Sequence, residues 1–422
     1  MDPAVVAFLV AAVIIILGFL GEEFFNRTSI PDSILLLLFG VILGPIFHLF
    51  AHEQLLAITP YFAALALIII LFDGGLNMDI REAIKNSPRA LILGITGWIL
   101  NVIVTALLTK YLLGWRLLNG LLLGSIVGGG SSIIVIALIR KLGVTEKIET
   151  VLSLESILTD VLCTVGAFTV INILVPPQSV EGAVTGSAVS GTVDVYGALG
   201  SVGTAFGVGI LVGLGFGVAW LVILERIKGK PNAYMLTLAM LFLTYVVATN
   251  LGGNGALSAL FFGLIIGNSR HIAKQLKFRT TISIDNNVRD FHSQISFLIR
   301  SFFFVFTGLL FSLSSYFSVL FGLLLSVAFL GIRFVVVKMA SVKSELNDYG
   351  TLMTVMFPRG LAAAVLASLP LTYGVPDSQV FPEIAFIVIL TTIIITTVGV
   401  AVLKKRQKSS STKHSSERNL LY

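Results

Sequence analysis

Along this chain, apolar runs of roughly 20 residues alternate with short polar stretches from one end to the other. At the rise of an α-helix, each run is long enough to cross about 30 Å of hydrocarbon. Thirteen such segments can be read, near 3–21, 31–49, 54–77, 88–113, 115–140, 147–175, 195–224, 232–250, 254–270, 289–312, 314–341, 347–373 and 380–403. No strand-like alternation interrupts them. The pattern predicts an all-α polytopic membrane protein with about thirteen transmembrane helices. The first run, AVVAFLVAAVIIILGFL, lacks a basic leader and an A-x-A cleavage site, so it reads as a span and not a signal peptide.

The polar stretches differ in charge by turns. Basic ones carry Arg27; Arg81, Lys85 and Arg89; Arg140, Lys141 and Lys147; Arg226, Lys228 and Lys230; Arg270, Lys274, Lys277, Arg279 and Arg289; Lys338 and Lys343; and the tail LKKRQK. Those between them, AHEQ, PPQSVEGAVTGSAVSGTVDVYG, NLGGN, FSLSSYF and TYGVPDSQVFPE, are poor in basic residues, and only Lys110 and Arg116 blur one. The positive-inside rule then expects a multi-pass cell-membrane protein with the N-terminus outside and the C-terminus cytoplasmic. The segment 404–422 is polar and is expected to be a short, disordered cytoplasmic tail.

Composition agrees with the pattern. Of 422 residues, 56% are hydrophobic and 12% charged, against about 25% charged in ordinary soluble domains. The net charge of +6 follows from the basic loops and does not call for a nucleic-acid partner. A single cysteine, Cys163, excludes an intramolecular disulfide and a thiolate metal cluster, and reads as a packed helical residue. No H-E-x-x-H or Walker pattern appears, so zinc-protease and ATP-driven chemistry are not expected, nor a nucleotide or other cofactor. The five histidines, His48, His52, His271, His292 and His414, fall mainly at span ends or in loops and do not cluster as ligands.

Thirteen spans divide as six, one linker and six. That division predicts a single transporter domain over 1–403, built of inverted repeats at about 3–175 and 232–403 around a linker helix at 195–224. The fifth span contains GSIVGGGSSIIV and the twelfth MFPRGLAAAV. Glycines, or a proline with a glycine, weaken a helix locally, and these two places correspond in the two halves. Two interrupted helices are therefore expected to cross.

Few ionisable residues lie deep in the spans: Asp73, Glu155, Asp160, Arg333 and Arg359. Charge at that depth is costly, so such residues face the protein interior and pair, or mark a pathway. Glu155 and Asp160 are five residues apart, a rotation of roughly 500° on a helix, and so lie on different faces. Ser156 and Asp160 share a face and offer hard oxygens that suit an alkali cation or a proton. Glu155 needs a countercharge, which Arg359 or Arg333 could supply bidentately.

These residues resemble those of the monovalent cation/proton antiporter superfamily, above all the NhaP/NHE-type sodium/proton antiporters. The resemblance rests on six motifs in order: SIPDSILLLLFGVILGP, LFDGGLN, LESILTD, NGALSALFFGLIIGN, FFFVFTGLLF and FPRGLAAAV. It implies an NhaA-like fold with crossed broken helices, a homodimer in the lipid membrane, and a role in pH homeostasis. It implies Asp160 as the carrier of cation and proton. Ser156 and Thr159, the backbone at Gly130, and a side chain near Ser131 would help hold Na⁺, with Asp73 contributing through water. Glu155 with Arg359 would be an internal brace. Two departures stand out. The family's Asn before the key aspartate is Thr159, and its T-D-P at the break reads Gly130-Ser131-Ser132, so a hydroxyl replaces one carboxylate.

A lone carboxylate in a cavity can hold a proton or a cation, each at the expense of the other. If only the loaded protein reorients, exchange is obligatory, and a single carrier acid predicts one cation per proton, hence electroneutral Na⁺ (or Li⁺)/H⁺ antiport. A K⁺/H⁺ antiporter is the main alternative. A Na⁺-coupled organic-anion symporter and an uncoupled channel or sensor are further ones. An intramembrane aspartyl protease would need its two acids on two helices, and here they share one, so the chain is not read as an enzyme.

Overall fold

The computed structural model describes residues 3–28, 30–49, 52–78, 80–81, 88–175, 195–227, 233–275, 286–311, 316–342 and 344–419, and among these there are helices and no strand. In chain order the first helices are α1 (Pro3–Thr28), α2 (Asp32–Ile46), α3 (His52–Asn77), α4 (Pro88–Leu113), α5 (Leu117–Val127), α6 (Ser132–Leu142) and α7 (Glu146–Leu174). They are followed by α8 (Val195–Arg226), α9 (Ala233–Asn250), α10 (Gly255–Gly267) and α11 (Asn286–Leu310). The series closes with α12 (Tyr316–Ser341), α13 (Gly350–Val355), α14 (Leu361–Thr372) and α15 (Phe381–Asn419). Among the described residues, nine helical segments are long and apolar enough to cross a membrane, and four shorter apolar helices accompany them. The chain is a multi-pass helical membrane protein. Part of the long loop after α7, and several basic-loop residues such as Lys85, Lys228 and Lys277, lie outside the described residues.

Local chemistry sets the helix ends. Gly114 (φ 69°) and Gly143 (φ 60°) terminate α4 and α6 in the left-handed region. Asn254 starts α10, its side chain accepting from the Leu257 N–H at 2.9 Å. Inside the bundle, close backbone approach needs small residues. A Cβ on Gly40 would lie 2.1 Å from the Val305 carbonyl oxygen, and one on Gly308 would lie 2.3 Å from that of Leu37. Helices α2 and α11 therefore touch backbone to backbone.

Two apolar interiors result. The smaller joins Phe72 and Leu76 of α3, Trp220 and Leu221 of α8, Leu241 of α9 and Phe262 of α10, with Trp220 Nε1 donating to Thr237 Oγ1 at 3.1 Å. The larger runs through the remaining helices around α5, α7 and α14. Outward faces stay apolar: Phe8 and Phe19 of α1 are 77% and 66% exposed, and Leu320 and Val327 of α12 are 65% and 63% exposed. That is the pattern of a protein whose solvent is lipid.

Helix α15 extends to Asn419. No glycine or proline follows Gly399 to stop it. One expectation is corrected. His292 is buried inside α11, its ring 4.7 Å from that of Phe72, because the face of α11 that carries it packs on α3.

Candidate cation site at the helix crossing

The two interruptions fall where glycines and proline placed them. Residues 128–131 separate α5 from α6, and residues 356–360 separate α13 from α14. The breaks touch: the Ser131 N–H donates to the Pro358 carbonyl at 2.7 Å. A Cβ on Gly360 would meet Ser131 Oγ at 2.2 Å and Ser131 Cβ at 2.5 Å, so only glycine lets the strands pass this closely. Four half-helix ends converge here. Their free carbonyls carry partial negative charge, and their free N–H groups partial positive charge.

The carbonyl ends are capped from neighbouring helices. Asn101 of α4 donates Nδ2–H to the Gly128 carbonyl at 2.7 Å. Arg333 of α12 donates Nε–H to the Met353 carbonyl at 2.9 Å and Nη2–H to that of Met356 at 3.1 Å. Thr159 of α7 accepts the Gly130 N–H at 3.0 Å and donates to the Ser156 carbonyl at 3.0 Å. The Arg359 N–H donates to Thr392 Oγ1 of α15 at 3.0 Å.

Against this frame α7 presents its two acids. Asp160 is half-buried, and its Oδ2 accepts from Ser132 Oγ at 2.6 Å. Ser132 is the first residue of α6, so the carboxylate sits at the positive end of that half-helix. Asp160, Ser132, Thr159 and the break backbone thus come together. Ser156 is buried with its hydroxyl on the Leu152 carbonyl at 2.8 Å, and a Cβ on Gly130 would lie 3.8 Å from its Oγ. Sequence reasoning missed Ser132 and Asn101. The Ser131-Ser132 pair at the break was a usable signal for the first, and Asn101 gave none.

Glu155 is differently held. Its carboxylate takes a bidentate clamp from Arg333 at 2.6 and 2.8 Å, both side chains being buried. Of the two arginines that spacing left open, Arg333 makes the pair, and Arg359, which the resemblance implied, does not. Arg359 belongs to the second break, where its guanidinium lies 4.8 Å from the centre of the Phe329 ring. Arg333 reaches the broken helix through carbonyls, which is why one guanidinium joins α7, α12 and α13. Asp73 stands apart: Asn77 Nδ2 donates to it at 3.0 Å, and Arg300 is its charged neighbour. No hydrogen bond or ion pair joins Asp73 to Asp160 among the described residues. Cys163 is buried beside Gly129, and no cluster of metal-ligating side chains occurs among the described residues.

Such a site can hold a small monovalent cation or a proton on one carboxylate, beside hydroxyls and a stretch of non-helical backbone. Residues 9–405 match the family described as sodium/hydrogen exchanger, transmembrane. A K(+)/H(+) antiporter NhaP2 of Shewanella sp. (strain ANA-3) is 28% identical over 91% of this chain and 64% of its own length. The Na(+)/H(+) antiporter ApNhaP of Aphanothece halophytica is 28% identical over 68% of this chain and 50% of its own length. The chain therefore spans less than two thirds of these relatives. The solved structure of the sodium proton antiporter MjNhaP1 from Methanocaldococcus jannaschii shares the fold. Its TM-score is 0.76 at 22% identity, covering 94% of this chain and all (100%) of that one.

Proposed function

Because the chain belongs to the sodium/hydrogen exchanger family of transmembrane proteins, we propose that it is a secondary antiporter that exchanges Na⁺ or Li⁺ for H⁺, one for one. Asp160 is the shared carrier. The observation that carries this reading is the contrast on α7: Glu155 is locked by two arginine hydrogen bonds, while the Asp160 carboxylate accepts from the uncharged hydroxyl and backbone N–H of Ser132. One acid is fixed and the other is free to change its occupant. Cation and proton compete for it, and only the occupied carrier reorients.

The rest of the reading follows the architecture. Thirteen crossings form two inverted repeats, 3–175 and 232–403, about the helix at 195–224. In support, the first break is capped by Asn101 from the fourth span and the second by Arg333 from the eleventh, at matching places in the two halves. The N-terminus lies outside and the C-terminus in the cytoplasm, and two copies form a homodimer. Ser156, Thr159, Ser131 and Gly130 shape the site around Na⁺, and Asp73 serves the access path.

A K⁺/H⁺ reading has its own support. Hydroxyls stand at Ser131 and Ser132 where the resemblance expects an acid, and relatives named as K(+)/H(+) antiporters match 91% of the chain. Exchange in proteoliposomes tests both readings. With an acid interior and a pH dye, external Na⁺ or Li⁺ is expected to alkalinise the lumen for the wild type and not for Asp160→Asn. A response to K⁺ alone would select the second reading, and no response of folded protein to any of the three would overturn antiport.

A further inference from the structure

Helices α1 and α6 belong to different parts of the bundle. α1 packs on α2 and α11. A Cβ on Gly18 of α1 would lie 2.8 Å from Ser301 Oγ of α11, and one on Gly21 would lie 3.1 Å from Asp32 Cβ of α2. Since α2 and α11 also touch backbone to backbone at Gly40 and Gly308, the three helices form one unit. α6 packs on α7 and belongs to the crossing. Its first residue, Ser132, donates to Asp160, and Lys141 is its last residue but one.

Lys141 reaches from the crossing to α1. Its Nζ–H groups donate to the carbonyl of Phe25 and, at 2.6 Å, to that of Asn26, and Nζ lies 4.9 Å from the centre of the Phe25 ring. These carbonyls are two of the last four of α1, which have no partner within their own helix. They carry the negative end of the helix dipole, where a cation is favoured. The basic residue in the last turn of α1 itself, Arg27, pairs with Glu23 at 2.8 Å instead. Beside Lys141, Arg140 pairs with Glu149 of α7 at 3.5 Å. Two adjacent basic residues thus make different ties, one within the crossing and one out of it.

We propose that Lys141 is a latch: a positioning residue that holds α6, and Ser132 with it, against α1 in one of the two arrangements that alternating access requires. The latch rests on the alternating access proposed above. Rocking the crossing past α1 carries Lys141 away from two carbonyls that stay with α2 and α11. The bonds therefore hold in one arrangement and break in the other. Hydrogen bonds from a charged donor are strong enough to bias the two populations about tenfold.

The test is the distance between spin labels at Asn26→Cys and Glu146→Cys, both exposed positions, in the full chain with Cys163→Ser. The protein is held in lipid nanodiscs and read by pulsed electron spin resonance. A shorter and a longer distance are expected. Lys141→Met should raise the ratio of longer to shorter about tenfold, and Lys141→Arg, which keeps a charged donor, should restore it. Melting temperatures check that each variant folds. Lys141→Gln, which keeps a donor without the charge, should give a smaller shift in the same direction. An unchanged ratio in folded Lys141→Met protein would overturn the latch, even with a lowered melting temperature, since a simple helix cap moves only the latter. An equal shift from Arg140→Met would overturn it too. The labels report arrangement and not exchange, so the two readings fail separately. A chain that moves no ions yet shifts its distances keeps the latch, and one that exchanges ions with unmoved distances loses it.

Discussion

At the scale of residues, two acids five positions apart on α7 are held differently. The Glu155–Arg333 pair is buried, so removing one partner leaves an uncompensated charge. Arg333→Ala is expected to destabilise the fold by about 3–5 kcal/mol, seen as a lower melting temperature in detergent. Replacing both residues by apolar ones of similar volume should recover most of that loss, because the desolvation of two charges is relieved together. Ser132→Ala tests the other acid. It removes the hydroxyl that favours the charged Asp160 carboxylate, so the proton competes better and the cation KM at fixed pH should rise, by about tenfold. An unchanged KM would remove Ser132 from the site. That the two acids lie on different faces was legible from spacing alone. The identity of the arginine was not, since both Arg333 and Arg359 lie near Glu155 and only side-chain packing decides which reaches it.

At the scale of elements, the crossing depends on one missing side chain. Gly360→Ala places a methyl 2.2 Å from Ser131 Oγ, so transport should be lost while the helices persist by circular dichroism. Ser131→Gly in the same chain leaves Ser131 Cα, 3.6 Å away, as the nearest of these neighbours. The double variant should therefore regain the melting temperature that Gly360→Ala loses. Failure of that rescue would mean that the close approach is not what glycine is there for. Both breaks were visible in the sequence, as GGGSS and FPRG, because glycine and proline act locally. Their capping was not visible. Asn101 and Arg333 bond to backbone carbonyls far away in sequence, and no periodicity encodes that.

For the whole molecule, helix positions were read nearly correctly because hydropathy is a property of each segment by itself. What escaped was a feature set by neighbours: the burial of His292 against Phe72. Orientation can be read directly. The one cysteine is buried, so a Cys163→Ser, Ser409→Cys chain carries a single label site in the tail. An impermeant maleimide should reach it in inside-out vesicles and not in right-side-out ones. The reverse pattern would invert the topology.

The central claim is that one carboxylate binds cation and proton in turn. The direct measurement is proton release from purified protein in weakly buffered detergent when Na⁺, Li⁺ or K⁺ is added near neutral pH. The account predicts release of about one proton per bound cation from the wild type and none from Asp160→Asn. Cation binding to the wild type without proton release, or equal release from a folded Asp160→Asn protein, would contradict it.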